Sequence, residues 1–152
     1  MASPLTLILP VIPGTSLETL AATLEKFNPE LDAALKSIGT VHYARILLLD
    51  GSTSNLQPGG SSNDSYKVAV ITEYDGSFEA YIQDFVSQVG PIFDALLQFV
   101  VGGPELTPVA DHVAAFEAFI TLNDASQHAP NINLFQAYTA TVQTILASLP
   151  PS

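Results

Sequence analysis

Val41-His42-Tyr43-Ala44-Arg45-Ile46-Leu47-Leu48-Leu49 and Tyr66-Lys67-Val68-Ala69-Val70-Ile71-Thr72-Glu73-Tyr74 are the two clearest β-forming runs in the chain. Both are dense in aliphatic, aromatic and β-branched residues, and turn-forming residues bound them. The spacing predicts two strands, each apolar on both parities. On the first, His42, Ala44, Ile46 and Leu48 share one side, while Val41, Tyr43, Leu47 and Leu49 share the other. On the second, Ala69 and Ile71 stand against Val68 and Val70. A sheet this apolar needs a cover on both faces.

Between the two runs, Asp50 to Ser65 (DGSTSNLQPGGSSNDS) is too polar to pack and reads as a long flexible loop. Upstream, Leu5 to Ile12 is a third β-rich run, closed by the turn signal Pro13-Gly14. Thr15 and Glu18 have capping-box spacing, and Leu17, Leu20, Ala21, Leu24 and Phe27 repeat with helical period. Asn28-Pro29 restarts a helix, whose stripe Leu31, Ala34, Leu35 and Ile38 ends at Gly39. Downstream of the second strand, Asp75-Gly76 makes a turn and Ser77 caps a helix. That helix carries Phe78, Tyr81, Ile82, Phe85 and Val89 on one side and is expected to stop at Gly90-Pro91. Ile92 to Val101 reads as a separate helix, and Thr107-Pro108 opens another that runs to about Leu122. Ile132 to Tyr138 alternates as a strand would. Val142, Ile145, Leu146 and Leu149 suit a short closing helix.

The order strand, helix, strand, strand, helix, strand predicts an α+β fold. It is the ferredoxin-like βαββαβ sandwich, with an antiparallel sheet, helices on one face and extra C-terminal helices. Residues 1–152 then form a single domain around the flexible loop at 50–65. The economical cover for the open sheet face is a second copy of the same sheet, so a homodimer is expected. The alternative is a monomer whose late helices fold across that face.

Composition narrows the function. The 152 residues include 15 Asp or Glu but only 4 Lys or Arg, for a formal charge of −11. So few cations exclude a phosphate-tracking surface, and neither nucleic acid nor an anionic membrane is an expected partner. With no Cys, disulfides, zinc-thiolate centres and thiol nucleophiles are excluded. Charged residues are 12% of the chain, against about 25% in typical soluble domains. The surplus apolar surface calls for a partner or a cavity that takes a small apolar or aromatic ligand. The start of the chain lacks the basic n-region of a secretory signal, and no run is long enough to cross a bilayer. A cytoplasmic protein is the resulting expectation.

Several side chains are candidates for chemistry. Arg45 is the only arginine and sits mid-strand among apolar residues. It is read either as half of an ion pair with Glu73 or Asp75, or as an anchor for an anionic or carbonyl ligand. Tyr43 shares its face, and Tyr74 adds a phenol nearby. His42 lies three residues from Arg45 and so on the opposite face, unless a bulge intervenes. It is read as a hydrogen-bonded core histidine or as a catalytic base. His112, four residues before Phe116, is a candidate heme ligand or a plain surface histidine. His128 looks like loop. No spacing predicts a metal site.

Val41-His42-Tyr43-Ala44-Arg45, Thr72 to Ile82 (TEYDGSFEAYI) and the β-rich start ending in Pro13-Gly14 resemble the dimeric α/β-barrel superfamily. Within it they are similar to a group distantly related to dye-decolorizing peroxidases, with a His-Tyr/Phe-Ala-Arg strand and a Tyr/Phe-Asp-Gly helix start. The resemblance spans roughly residues 5–86. It implies two sheets enclosing a barrel that holds heme or a small aromatic molecule. It also implies an oxidoreductase, peroxidase-like or monooxygenase-like, that is heme-dependent or needs no cofactor. Under it Arg45 and Asp75 are catalytic, and Tyr43, Arg45, Tyr74 and His112 bind the ligand. The chain departs from the peroxidases in having Thr72 where their Gly-x-x-Asp-Gly motif begins, and room for only one ferredoxin-like unit. A non-catalytic homodimeric interaction module is the competing expectation.

Overall fold

Three strands, β1 (Ala2–Pro10), β2 (Val41–Asp50) and β3 (Tyr66–Asp75), form an antiparallel sheet in the order β1-β3-β2. This is a computed structural model, and it describes residues 1–59 and 64–150. Helices α1 (Leu17–Lys26) and α2 (Asn28–Ile38) connect β1 to β2. The long α3 (Phe78–Leu97) follows β3, and α4 (Val113–Asn123) and α5 (Val142–Ser148) complete the chain. The fold class is therefore α+β, as expected.

Local chemistry accounts for the ends of these elements. Ser16, not Thr15, caps α1, and its side chain accepts the Thr19 amide. Ser77 caps α3 in the same way, accepting the Ala80 amide. Gly39 ends α2 in the left-handed region at φ 67°, where a side chain would be strained. The expected break at Gly90-Pro91 does not occur, and α3 runs through both residues. Tyr81, Ile82, Phe85, Val89, Ile92, Phe93 and Leu96 form one buried stripe across that point, so packing outweighs the amide that Pro91 lacks.

The fourth strand expected at Ile132 to Tyr138 is not formed. Asn131–Asn133 is a single 3-10 turn, and no ladder partner pairs with the residues after it among those described. The reason lies at the free edge of β1, where such a strand would pair. Asp124 already occupies it, bridging Leu7 and accepting the Thr6 amide through Oδ1 at 2.9 Å. Ser126 donates to the Pro4 carbonyl at 3.3 Å. Pro4 and Pro10 offer no amide for a ladder in any case.

The register divides the sheet into two unlike faces. On one, Leu5, Leu7 and Leu9 stand level with Thr72, Val70 and Val68, and these with Ala44, Ile46 and Leu48. Helices cover this face. A chain of rings runs through the core beneath it, from Tyr74 stacked on Tyr81 at 4.0 Å, through Phe85 and Phe93, to Phe116. The Tyr81 and Thr72 hydroxyls, both buried, satisfy each other at 2.7 Å. On the other face lie Thr6, Ile8, Ala69, Ile71, Glu73, Tyr43, Arg45, Leu47 and Leu49. Among the described residues, Ala125, Ser126, Asn131, Leu134 and Phe135 overlie one end of it. The cover is thus an irregular segment rather than the late helices.

The loop after β2 begins with organised turns rather than free chain. Asp50 is fully buried, and its Oδ1 accepts the Ser52 amide at 2.9 Å and the Ser65 hydroxyl at 3.1 Å. Thr53 donates to the Asp50 and Gln57 carbonyls. The flexibility expected at residues 60–63 lies outside the described residues. No helix among the described residues is long and apolar enough to cross a membrane.

Candidate functional site

The site begins with an irregularity in β2. Val41 pairs with Tyr74 and Tyr43 with Glu73, so His42 has no opposite number and forms a β-bulge. A bulge sets two residues against one and re-aims a side chain. His42 consequently reaches Asp75 on β3, with Nε2 3.2 Å from Oδ1. The other Asp75 oxygen, Oδ2, accepts the Val142 amide at 2.7 Å, at the start of α5. Gln143 adds a second tie by donating from Nε2 to the Gly39 carbonyl at 2.7 Å. A Cβ at Gly39 would sit 3.0 Å from that same Nε2, so a glycine serves both the turn and the docking of α5.

Between α2, the start of β2 and α5 lies a cleft of about 470 Å³. Its walls are apolar: Leu35, Val41, Val142, Ile145 and Leu146. His42 and Tyr43 supply polar groups, and the exposed Asp32–Lys36 pair, 2.6 Å apart, marks the rim. Tyr43 turns its hydroxyl to Glu73, donating at 3.0 Å to Oε1. Apolar walls with a few convergent polar groups are the usual makeup of a small-molecule site.

The electrostatics follow from these contacts. Burial alone would raise the Asp75 carboxyl. The Val142 amide, the hydrogen bond and charge of His42, and the chain's amino terminus outweigh it and hold the group below its ordinary value. An ionised Asp75 favours the His42 tautomer with its proton on Nε2, which leaves a lone pair on Nδ1. An imidazole oriented by a carboxylate is the arrangement that lets a histidine accept a proton from a ligand. For Tyr43, burial and then the neighbouring Glu73 push the phenol up, against a smaller pull from Arg45.

The residues expected to form one site are dispersed. Tyr43 lines the cleft, and Asp75 reaches it only through His42. Arg45 lies on the open sheet face, exposed, and makes no ion pair among the described residues. The expected partners are engaged elsewhere, Glu73 by Tyr43 and Asp75 by His42. Tyr74 lies on the helix-covered face, buried against Tyr81. Burial, with Asp124 nearby, raises its pKa. His112 precedes α4 instead of lying within it, and it is exposed. It caps α4, its carbonyl accepting the Phe116 amide at 2.9 Å, and while Phe116 is buried His112 is not. His128 is an exposed loop residue, as expected, with Nε2 3.3 Å from the Leu122 carbonyl. Among the described residues no group of three or more His, Asp or Glu is placed to hold a metal ion.

His42 shows what strand parity concealed, because alternation puts it on the wrong face and only the bulge returns it to Asp75. Its position next to an aromatic at the start of a strand was the sole signal. No protein-family model matches the chain, and no curated protein or solved structure is significantly similar to it.

Proposed function

We propose that the chain is a small-molecule-binding protein of the dimeric α/β-barrel type whose ligand occupies the cleft between α2 and α5. One observation carries the reading: His42, held by Asp75, lines a cleft whose walls are otherwise largely aliphatic. The ligand class is a small apolar or aromatic molecule bearing one hydroxyl, which would donate to His42 Nδ1 while its carbon skeleton lies on Leu35, Ile145 and Leu146. An oxidoreductase activity, peroxidase-like or monooxygenase-like, is the enzymatic form of this proposal and rests on the resemblance of residues 5–86. The cleft reading does not call on heme, for His112 lies outside its lining.

Titration with 2-naphthol, followed by protein NMR, tests the site. Shifts are expected at His42, Val142 and Leu146, and affinity is expected to fall about tenfold or more in His42→Ala. Leu146→Arg, which puts a charge at the cleft wall, should also abolish binding. Unchanged affinity in both variants would refute the assignment.

A second reading concerns assembly. The open face offers Ile8, Leu47, Leu49 and Ile71 around Arg45, which has no ion pair among the described residues, and this favours a homodimer formed by two such faces. Sedimentation of Leu47→Glu measures this: a charge at the centre of the face should leave only monomer. In its non-catalytic form, this contact is the whole function.

A further inference from the structure

A second pocket, of about 580 Å³, lies at the same end of the sheet but on its other side edge, against β1 rather than β2. Asp124 lines it and is only 3% exposed. Its Oδ1 is saturated, accepting the Thr6 amide, the Ser126 amide and the Ser126 hydroxyl at 2.9, 3.0 and 2.6 Å. Its Oδ2 has no hydrogen-bond partner and no cation within ion-pair distance among the described residues. No fully enclosed side-chain oxygen lacks a partner among those residues, so Oδ2 is not sealed off, and the pocket is what Asp124 lines. The Tyr74 hydroxyl is in the same position: its residue is buried, lines the pocket and makes no side-chain hydrogen bond among the described residues. Phe78, Ile132 and Phe135 supply apolar and aromatic walls.

A carboxylate this deeply placed calls for a positive partner. Arginine and lysine do not provide one, for none of the four in the chain lines this pocket. An inorganic divalent ion is a poor match, since the other oxygens around Asp124 are neutral hydroxyls and amides and no further carboxylate joins it. Aromatic faces beside a lone carboxylate instead suit an organic cation, whose charge meets the oxygen and whose carbon atoms meet the rings.

We propose that Asp124 and Tyr74 form a binding site for a small organic ammonium ion. The nitrogen donates to Asp124 Oδ2 and to the Tyr74 oxygen, and the attached carbons pack on Phe78 and Phe135. The site is separate from the His42 cleft and is independent of what that cleft holds.

Calorimetric titration of the full chain with phenethylammonium chloride, beside neutral phenethyl alcohol, tests the proposal. The ammonium probe is expected to bind about tenfold or more tighter than the alcohol. Asp124→Asn keeps an acceptor for the Thr6 amide and should erase that preference. Tyr74→Phe keeps the stack on Tyr81 and should weaken the ammonium probe several-fold, so the proposal stays testable where Asp124→Asn does not fold. His42→Ala should leave ammonium affinity unchanged, whatever it does to 2-naphthol. Equal binding of the two probes, no binding of either at millimolar concentration, full affinity in Asp124→Asn, or loss in His42→Ala would each overturn it.

Discussion

On the helix-covered face of the sheet, Leu5, Leu7, Leu9, Val68 and Val70 are at most 4% exposed. On the opposite face of the same three strands, Tyr43 is 45% exposed, and Ile8, Leu47, Leu49 and Ile71 are only partly buried. The residues on the two faces are similarly apolar. The difference comes from what reaches them. Helix α3 brings an apolar stripe the length of the sheet, whereas the open face receives five residues of turns and irregular chain at one end. Hydrophobic density in a strand therefore measures the demand for cover, not its supply.

The largest effect should separate the faces directly. Leu7→Ala, in the closed face, is expected to cost about 3 kcal/mol in urea unfolding of the chain diluted to monomer, and Leu47→Ala about 1 kcal/mol or less. Equal costs would break the comparison, because they would mean that the open face is fully covered in solution. A smaller effect lies within the closed face. Tyr81→Phe leaves the buried Thr72 hydroxyl without its partner and should cost about 1–2 kcal/mol.

A third effect belongs to the open side and depends on pH. The folded Asp75 carboxyl lies below its ordinary value of 3.8. In acid the unfolded chain therefore binds this proton first, and stability rises with pH across that interval. The contribution is complete above about pH 4, given the carboxyl's unperturbed value, and is lost as pH falls through the folded value. Asp75→Asn should be less stable than the parent chain near neutral pH, and the gap should narrow as acid is added. A constant gap would show that the His42 and Val142 contacts contribute nothing through charge.

The smallest effect is expected at Arg45. Its guanidinium has no ion pair among the described residues, so Arg45→Ala should change chain stability by about 0.5 kcal/mol or less. A greater loss that depends on protein concentration would place Arg45 in a contact between copies.

Much of the site was beyond the reach of a linear reading. The expectation for Arg45 held where strand alternation put it on the face of Tyr43. It failed at the ion pair, because Tyr43 and His42 reach the two carboxylates first. Asp124 reads in the sequence as an ordinary turn former before Ala125-Ser126, and its Asx-type contact with Ser126 fits that reading. Its burial depends on β1, 118 residues away along the chain.

The strands, the α1, α2 and α5 helices, the Ser77 and Gly39 caps and the α+β class follow from side-chain periodicity and turn chemistry. These are contests between neighbours in the chain, and neighbouring residues decide them. Tertiary contact alone decided that α3 passes through Pro91, that β1 is edged by Asp124 in place of a fourth strand, and that His42 bulges toward Asp75. In each case a local preference met burial or hydrogen bonding from a distant segment. The gain from closing a core or satisfying a backbone amide exceeds the modest cost of breaking a local rule.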